Sequence, residues 1–200
     1  MTVSRNGFSL TELLIGMAFL ALFTAMVQTT CTALLRGVRV LEVASEAQET
    51  ARLGVQLIVA DAREAGFAPG GQLRDGIRRA GRTILGIARD LNGDGDVDDA
   101  QERVTYSYAP DRRALLRAQG DAAPQPLIDG LDDDGVVLTY VDAQGLPLDP
   151  GSAELDADQR ARVRRIGVHV RIALPSPEPA SRAPLRAEEG ATATLRNAGL

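Results

Sequence analysis

Between Asp90 and Glu102 the chain reads Asp90-Leu91-Asn92-Gly93-Asp94-Gly95-Asp96-Val97-Asp98-Asp99-Ala100-Gln101-Glu102. Asp, Asn and Asp stand at alternate positions, Gly is sixth and Asp ninth. This is the oxygen spacing of a calcium-binding loop, in which the glycine permits a sharp turn. The expected ligands are the side chains of Asp90, Asn92, Asp94 and Asp98 and the main-chain carbonyl of Asp96. The twelfth position holds Gln101 where such a loop places a bidentate Glu, and Glu102 stands one residue later as its substitute. Asn-Gly and Asp-Gly are favoured turn pairs in their own right, so a solvated acidic turn is the plainer reading. Six carboxylates in so short a stretch repel one another without a cation, and that repulsion favours calcium.

A different carboxylate is conspicuous for its surroundings. From Phe8 to Val27 the chain is uncharged except at Glu12. About twenty residues at ~1.5 Å rise each are enough to cross a hydrocarbon core of ~30 Å. A charge inside that core costs roughly 2.5–3.5 kcal/mol or more unless it finds a partner. The spacing Ser9-x-x-Glu12 is a capping box, which accounts for a Glu at the third helical position but not for its place in a membrane-length span. A carboxylate there asks for a cation.

Both features need elements to hold them. Past the apolar run, Leu34, Val38, Leu41, Ala44, Ala47, Ala51, Val55, Ile58, Ala62 and Ala65 recur at three- and four-residue steps, one stripe of a long amphipathic helix. No Pro interrupts residues 8–68, and Gly66 supplies a stop before Pro69-Gly70-Gly71. The pattern predicts a single helix of about 58 residues, roughly 87 Å long. Its membrane-spanning part is 8–30 and its amphipathic continuation, 31–66, is expected to be covered by the rest of the chain. From Gly71 the period falls to two. Strands are predicted at 82–88, 104–108, 114–117, 136–141 and 163–174. In the last, Ile166, Val168, Val170, Ile172 and Leu174 share one face, and His169 lies on the other as a bystander. Residues 175–190, rich in Pro, read as a mobile loop, and 191–197 as a returning edge strand. The Asp129 and Asp132-Asp133-Asp134-Gly135 cluster lacks alternating spacing and reads as a turn. The expected architecture is therefore α+β, a long N-terminal helix packed on a C-terminal antiparallel β-rich domain spanning 67–200. The acidic loop sits between strands in this reading, unlike the helix–loop–helix of an EF-hand sensor.

Composition narrows the function. A net charge of -5 over 200 residues argues against nucleic acid as the main partner, which would need a basic face. All 22 positive charges are Arg, Trp is absent, and one Cys, Cys31, leaves no internal disulfide. Nucleophile-elbow, zinc and phosphate-loop motifs are lacking, so no enzymatic activity is expected.

Gly7-Phe8-Ser9-Leu10-Thr11-Glu12, followed by its uncharged span, resembles the start of a type IV pilin or pseudopilin precursor. The resemblance implies that residues 1–7 are a leader that stays cytoplasmic. It implies cleavage between Gly7 and Phe8 by a prepilin peptidase, methylation of the new Phe8 amine, and pairing of Glu12 with the amine of a neighbouring subunit. Its partners would be other pilin subunits through the N-terminal helix, first in the inner membrane and then in a cell-surface or periplasmic filament. The helix end Arg63-Glu64-Ala65-Gly66-Phe67 and the closing Leu195-Arg196-Asn197 resemble those of W-type minor pilins, and the helix end also that of the J-type secretion pseudopilin. The missing Pro in the span and the missing C-terminal disulfide depart from major pilins and point away from a bulk filament subunit. Calcium loops also occur among pilin-like proteins. Three functions follow as expectations: a minor type IV pilin, a type II secretion pseudopilin, or, in another class, a membrane-anchored calcium-binding adhesin or sensor that joins no filament.

Overall fold

The computed structural model describes residues 9–71, 76–177 and 183–197. Gly7 and Phe8, and with them the expected processing site, lie outside the described residues. One helix, α1 (Leu10–Glu64), carries the first third of the chain, and Gly66 at φ 75° makes the left-handed turn that ends it. The rest is predominantly β, as the change of period predicts. The first sheet is fully antiparallel, with β1 (Ile77–Ala80), β2 (Ile84–Ala88), β3 (Arg103–Ala109), β4 (Ala114–Gln119) and β5 (Gln125–Ile128) in sequential order. The second, also antiparallel, has the order β7-β6-β8-β9, from β6 (Leu131–Val141), β7 (Pro147–Leu148), β8 (Arg165–Leu174) and β9 (Leu185–Thr194). A short helix, α2 (Ala157–Arg162), capped by Asp156, links β7 to β8.

The C-terminal half of α1 lies against β9 and β8 and reaches β5. Its face of Ala51, Val55, Ile58 and Ala62 is buried with Tyr106, Leu115, Ile128, Val168 and Val170 in one continuous core. Gly54 lets the helix approach β5, because a Cβ there would stand 2.2 Å from Ile128 Cδ1. In β8 the alternation holds: Ile166, Val168, Val170 and Ile172 are buried and His169 is exposed beside Gly190 of β9.

Four differences from the sequence reading have physical causes. The segment read as a mobile loop over 175–190 contains the first half of β9, which pairs with β8 from Leu174↔Leu185 to Arg165↔Thr194. Its inward residues include Ala187 and Ala193, small enough to lie beneath α1 but too weakly apolar to announce a strand. The acidic cluster 132–134 is not a turn but a bulge within β6, where pairing jumps from Leu131↔Ile172 to Val136↔Val170. The short elements β1, β5, β7 and α2 were not anticipated. The helix stripe, finally, is covered only in part: burial begins at Ala47, while Leu34, Val38 and Leu41 are 65%, 52% and 70% exposed. A ten-residue strand such as β9 spans about 33 Å and so faces at most about 22 helical residues. The domain is too short to cover the whole stripe.

Candidate functional site

The acidic loop joins β2 to β3 and is closed at its base by the main chain, where Arg89 N–H donates to Glu102 O over 2.9 Å. Within it, the side chains of Asp90, Asn92, Asp94 and Asp96 turn back on the loop, whereas the exposed Asp98 offers its backbone N–H. Asp90 Oδ1 accepts from Gly93 N–H (2.6 Å) and Oδ2 from Gly95 N–H (3.1 Å). Asn92 Oδ1 accepts from Asp94 N–H, Asp94 Oδ1 from Asp96 N–H and Asp96 Oδ1 from Asp98 N–H, each at 3.0–3.1 Å. Gly93 and Gly95, at φ 80° and 88°, supply the left-handed turns that this coil requires. The Asp96 N–H bond and the Asn92 amide hold the Asp94 carboxyl below the usual carboxylate range.

The base of the loop is buried. Asp90 is 2% and Glu102 1% exposed, and among the described residues neither forms an ion pair. Gln101 is exposed, so the residue that folds in to close the loop is Glu102. Its Oε1 accepts from Leu91 N–H at 2.8 Å, whereas Oε2 is buried with no hydrogen-bond partner. Among the described residues, no three His, Cys, Asp or Glu side chains already converge as a metal cluster. The chemistry of the donors, though not their placement, is that of a hard-cation site. All the candidate groups are oxygens, and one oxygen of the buried Glu102, which lines a small cavity with Arg89 and Asp61, is unsatisfied.

Two loop residues escaped the sequence reading. Val97 is 4% exposed, a buried apolar side chain within the loop, signalled only by an apolar residue amid acids. Asp99, itself exposed, accepts at Oδ2 from Asn92 Nδ2 at 3.0 Å, which ties a further carboxylate to the loop.

The loop is also fastened to the end of α1. Gly66 N–H donates to Ala88 O (2.9 Å) and Asp90 N–H to Phe67 O (2.7 Å). Beside these bonds Asp61, 8% exposed, gathers three partners: Tyr106 Oη at 2.5 Å, Arg89 Nη1 at 3.3 Å and Arg117 Nη2 at 3.4 Å. Arg89 pairs with Glu64 as well, and the Arg117 guanidinium lies 5.9 Å from the Tyr106 ring centroid. Burial, reinforced by the bond to Asp61, pushes the Tyr106 phenol well above its ordinary range. An Asp at the third residue after Ile58 and the fourth before Ala65, on the apolar stripe itself, was the available sequence signal for this network.

The N-terminal half of α1 is the opposite kind of surface. Leu10, Leu14, Phe19, Leu22, Phe23 and Met26 are all more than half exposed, and this is the one helix among the described residues long and apolar enough to cross a membrane. Its hydroxyls are satisfied within the helix: Thr24 Oγ1 donates to Leu20 O (2.8 Å) and Thr30 Oγ1 to Met26 O (3.0 Å). That arrangement suits an apolar phase, which offers no water to a free donor. Glu12 Oε2 accepts from Ser9 N–H at 3.0 Å, so in the single chain this carboxylate caps its own helix. Cys31 is exposed and free.

No family model matches the chain, and no curated protein does. Among solved structures the chain is similar to a type IV-like pilin from Thermus thermophilus, at 13% identity, with a TM-score of 0.49 over 76% of this chain and 96% of that one. A likeness that distant assigns no role to any residue.

Proposed function

We propose that the chain is a minor type IV pilin, a structural and not an enzymatic protein. In this reading a prepilin peptidase cuts between Gly7 and Phe8, the Phe8 amine is methylated, and α1 anchors the subunit in the inner membrane until it enters a filament. The observation that carries the reading is the uncovered half of α1, a membrane-length apolar helix whose one carboxylate, Glu12, lies at its start. Within hydrocarbon, Glu12 is stabilised by the amine of an adjacent subunit, and the pairing sets the axial register of neighbouring helices. The cap to Ser9 N–H uses one carboxylate oxygen and leaves the other for that amine.

The acidic loop is proposed to take calcium through the side chains of Asp90, Asn92, Asp94 and Asp98 and the carbonyl of Asp96, with Glu102 closing the site. The bound ion would neutralise the crowded carboxylates. The buried, unsatisfied Oε2 of Glu102 supports this assignment.

A clean deletion in the source organism, scored for surface filaments and for secreted proteins, tests the assignment. Loss of filaments with secretion intact is the expected result. Loss of secretion with filaments intact would move the chain to a type II secretion pseudopilus. If neither is affected, and the protein is not cut before Phe8, the chain is instead a membrane-anchored calcium-binding adhesin or sensor.

A further inference from the structure

Asn92 is followed by Gly93, and both are exposed. Such a pair carries an intrinsic reaction, because a glycine has no side chain to hinder attack of its main-chain nitrogen on the preceding side-chain amide. The Gly93 nitrogen bonds to Asn92 Cγ, the Cγ–Nδ2 bond breaks, and the proton that Gly93 gives up passes through water to the leaving nitrogen, which departs as ammonia. Water then opens the cyclic imide to an aspartyl or isoaspartyl residue in place of Asn92. Among the described residues no other Asn precedes a Gly.

The fold sets every reacting atom against this step. The N–H of Gly93, whose nitrogen must attack, donates to Asp90 Oδ1 at 2.6 Å. Asp90 is 2% exposed and its other oxygen accepts from Gly95 N–H at 3.1 Å, so this acceptor is fixed and does not follow a turning peptide. The amide under attack is held at both ends. Asn92 Oδ1 accepts from Asp94 N–H at 3.0 Å, and Nδ2 donates to Asp94 Oδ2 at 2.8 Å and Asp99 Oδ2 at 3.0 Å. Closing the ring breaks the Asp90 bond and leaves an oxygen of a buried carboxylate without its donor, which is costly.

We propose that Asn92 is a deamidation site kept shut by Asp90, and that it reacts only when the loop opens. Asp90 is a positioning residue here, acting through the Gly93 N–H. The change is one-way. An aspartyl product sets a third carboxylate against Asp94 and Asp99, where the amide donated to both. An isoaspartyl product adds a carbon to the main chain between residues 92 and 93, which carries the N–H groups of Gly93 and Gly95 away from Asp90. A loop that has opened and reacted does not reclose, so the modification marks the age of the exposed domain. No ion is needed, and the site is independent of the calcium reading.

The test incubates the full chain in detergent micelles, in mildly alkaline buffer with a chelator, and follows Asn92 by peptide mass mapping with isoaspartate scored separately. The same chain unfolded in urea supplies the unguarded rate. Folded wild type is expected to react at Asn92 at least tenfold more slowly than the unfolded chain. Asp90→Ala, with its fold checked by circular dichroism, is expected to come within threefold of the unfolded rate. Asp94→Ala, an exposed change that leaves the Asp90–Gly93 bond in place, is expected to stay within threefold of folded wild type. Amide exchange at Gly93 needs no variant and should be slowed at least tenfold in folded wild type. Folded wild type reacting at the unfolded rate, or an unprotected Gly93 N–H, overturns the guard. A folded Asp90→Ala as slow as wild type removes Asp90 from it, and an Asp94→Ala that reaches the unfolded rate moves the guard to the Asn92 amide. Absence of reaction in the unfolded chain overturns the site itself.

Discussion

The two halves of α1 have the same helical geometry and opposite surroundings. From Ala47 to Ala62 the helix presents small and branched residues to two sheets, with Ala51, Val55, Ile58 and Ala62 no more than 1% exposed. From Leu10 to Leu41 larger apolar residues stand free, with Phe19 69% and Leu41 70% exposed. The contrast in residue size is instructive. Close packing against a sheet selects Ala, Gly and Val, whereas a surface that faces lipid can keep Leu, Phe and Met. The change from one to the other falls beside β9, where Gln48 Nε2 donates to Glu188 O and Glu189 Oε2.

The comparison can be broken by equal truncations in the two halves. Ile58→Ala is expected to lower the unfolding free energy of the domain by about 2–5 kcal/mol, because it empties a fully buried site. Leu20→Ala or Leu34→Ala should change it by no more than about 0.5 kcal/mol. Denaturation of the full chain in micelles measures all three, and equal losses would mean that the free half is in fact packed.

Asp61 sharpens the junction between helix and first sheet. Removing its carboxylate by Asp61→Ala leaves Tyr106, Arg89 and Arg117 without their shared acceptor, at an expected cost of about 3 kcal/mol. Tyr106→Phe removes one donor and leaves two cations in place, so its cost should be only about 1 kcal/mol. A larger loss for Tyr106→Phe than for Asp61→Ala would show that ring packing, and not the carboxylate, organises the network.

The acidic loop should tie stability to calcium. With free calcium at a hundred times its dissociation constant, a single site adds about 2.7 kcal/mol, read as a rise in Tm. Asp94→Ala should abolish that rise, and an unchanged Tm in excess calcium would remove the ion from the account.

The smallest expected effect is a pH dependence at the end of β6. Asp142, 2% exposed, accepts from Leu146 N–H (2.9 Å), Gln144 N–H (3.0 Å) and Arg162 Nη2 (3.1 Å), and these bonds hold its carboxyl below the usual range. A carboxylate whose pKa is lower in the folded state stabilises above its unfolded value of about 3.9, and that contribution fades as pH falls through the folded one. Wild type should therefore lose stability progressively below about pH 4, and Asp142→Asn should flatten that part of the profile.

Much of this was legible in the residues, for identifiable reasons. The 3.6-residue stripe through Val55, Ile58 and Ala62 marks a helix face, and the alternation through Ile166, Val168 and Val170 marks a strand, because each period is set by backbone geometry. The side chains at 90, 92 and 94 fold back on the loop's own N–H groups, an arrangement that an acidic turn and a cation loop share. What periodicity does not carry is the identity of the cover. It gives Leu41 and Ala51 the same standing, although one is free and the other wholly buried. It also hides β9, whose core-facing Ala187 and Ala193 are small because α1 lies on them. The Arg89–Asp61 link joins residues far apart in sequence, so only the folded chain brings it into view.

The central claim, that the free half of α1 is an assembly surface organised by Glu12, is tested most directly by Glu12→Ala in the source organism, with total and filament-incorporated protein compared. The account predicts a chain made at wild-type level and cut between Gly7 and Phe8, yet reduced at least tenfold in sheared filaments. Incorporation equal to wild type would contradict it and leave Glu12 as a helix cap alone.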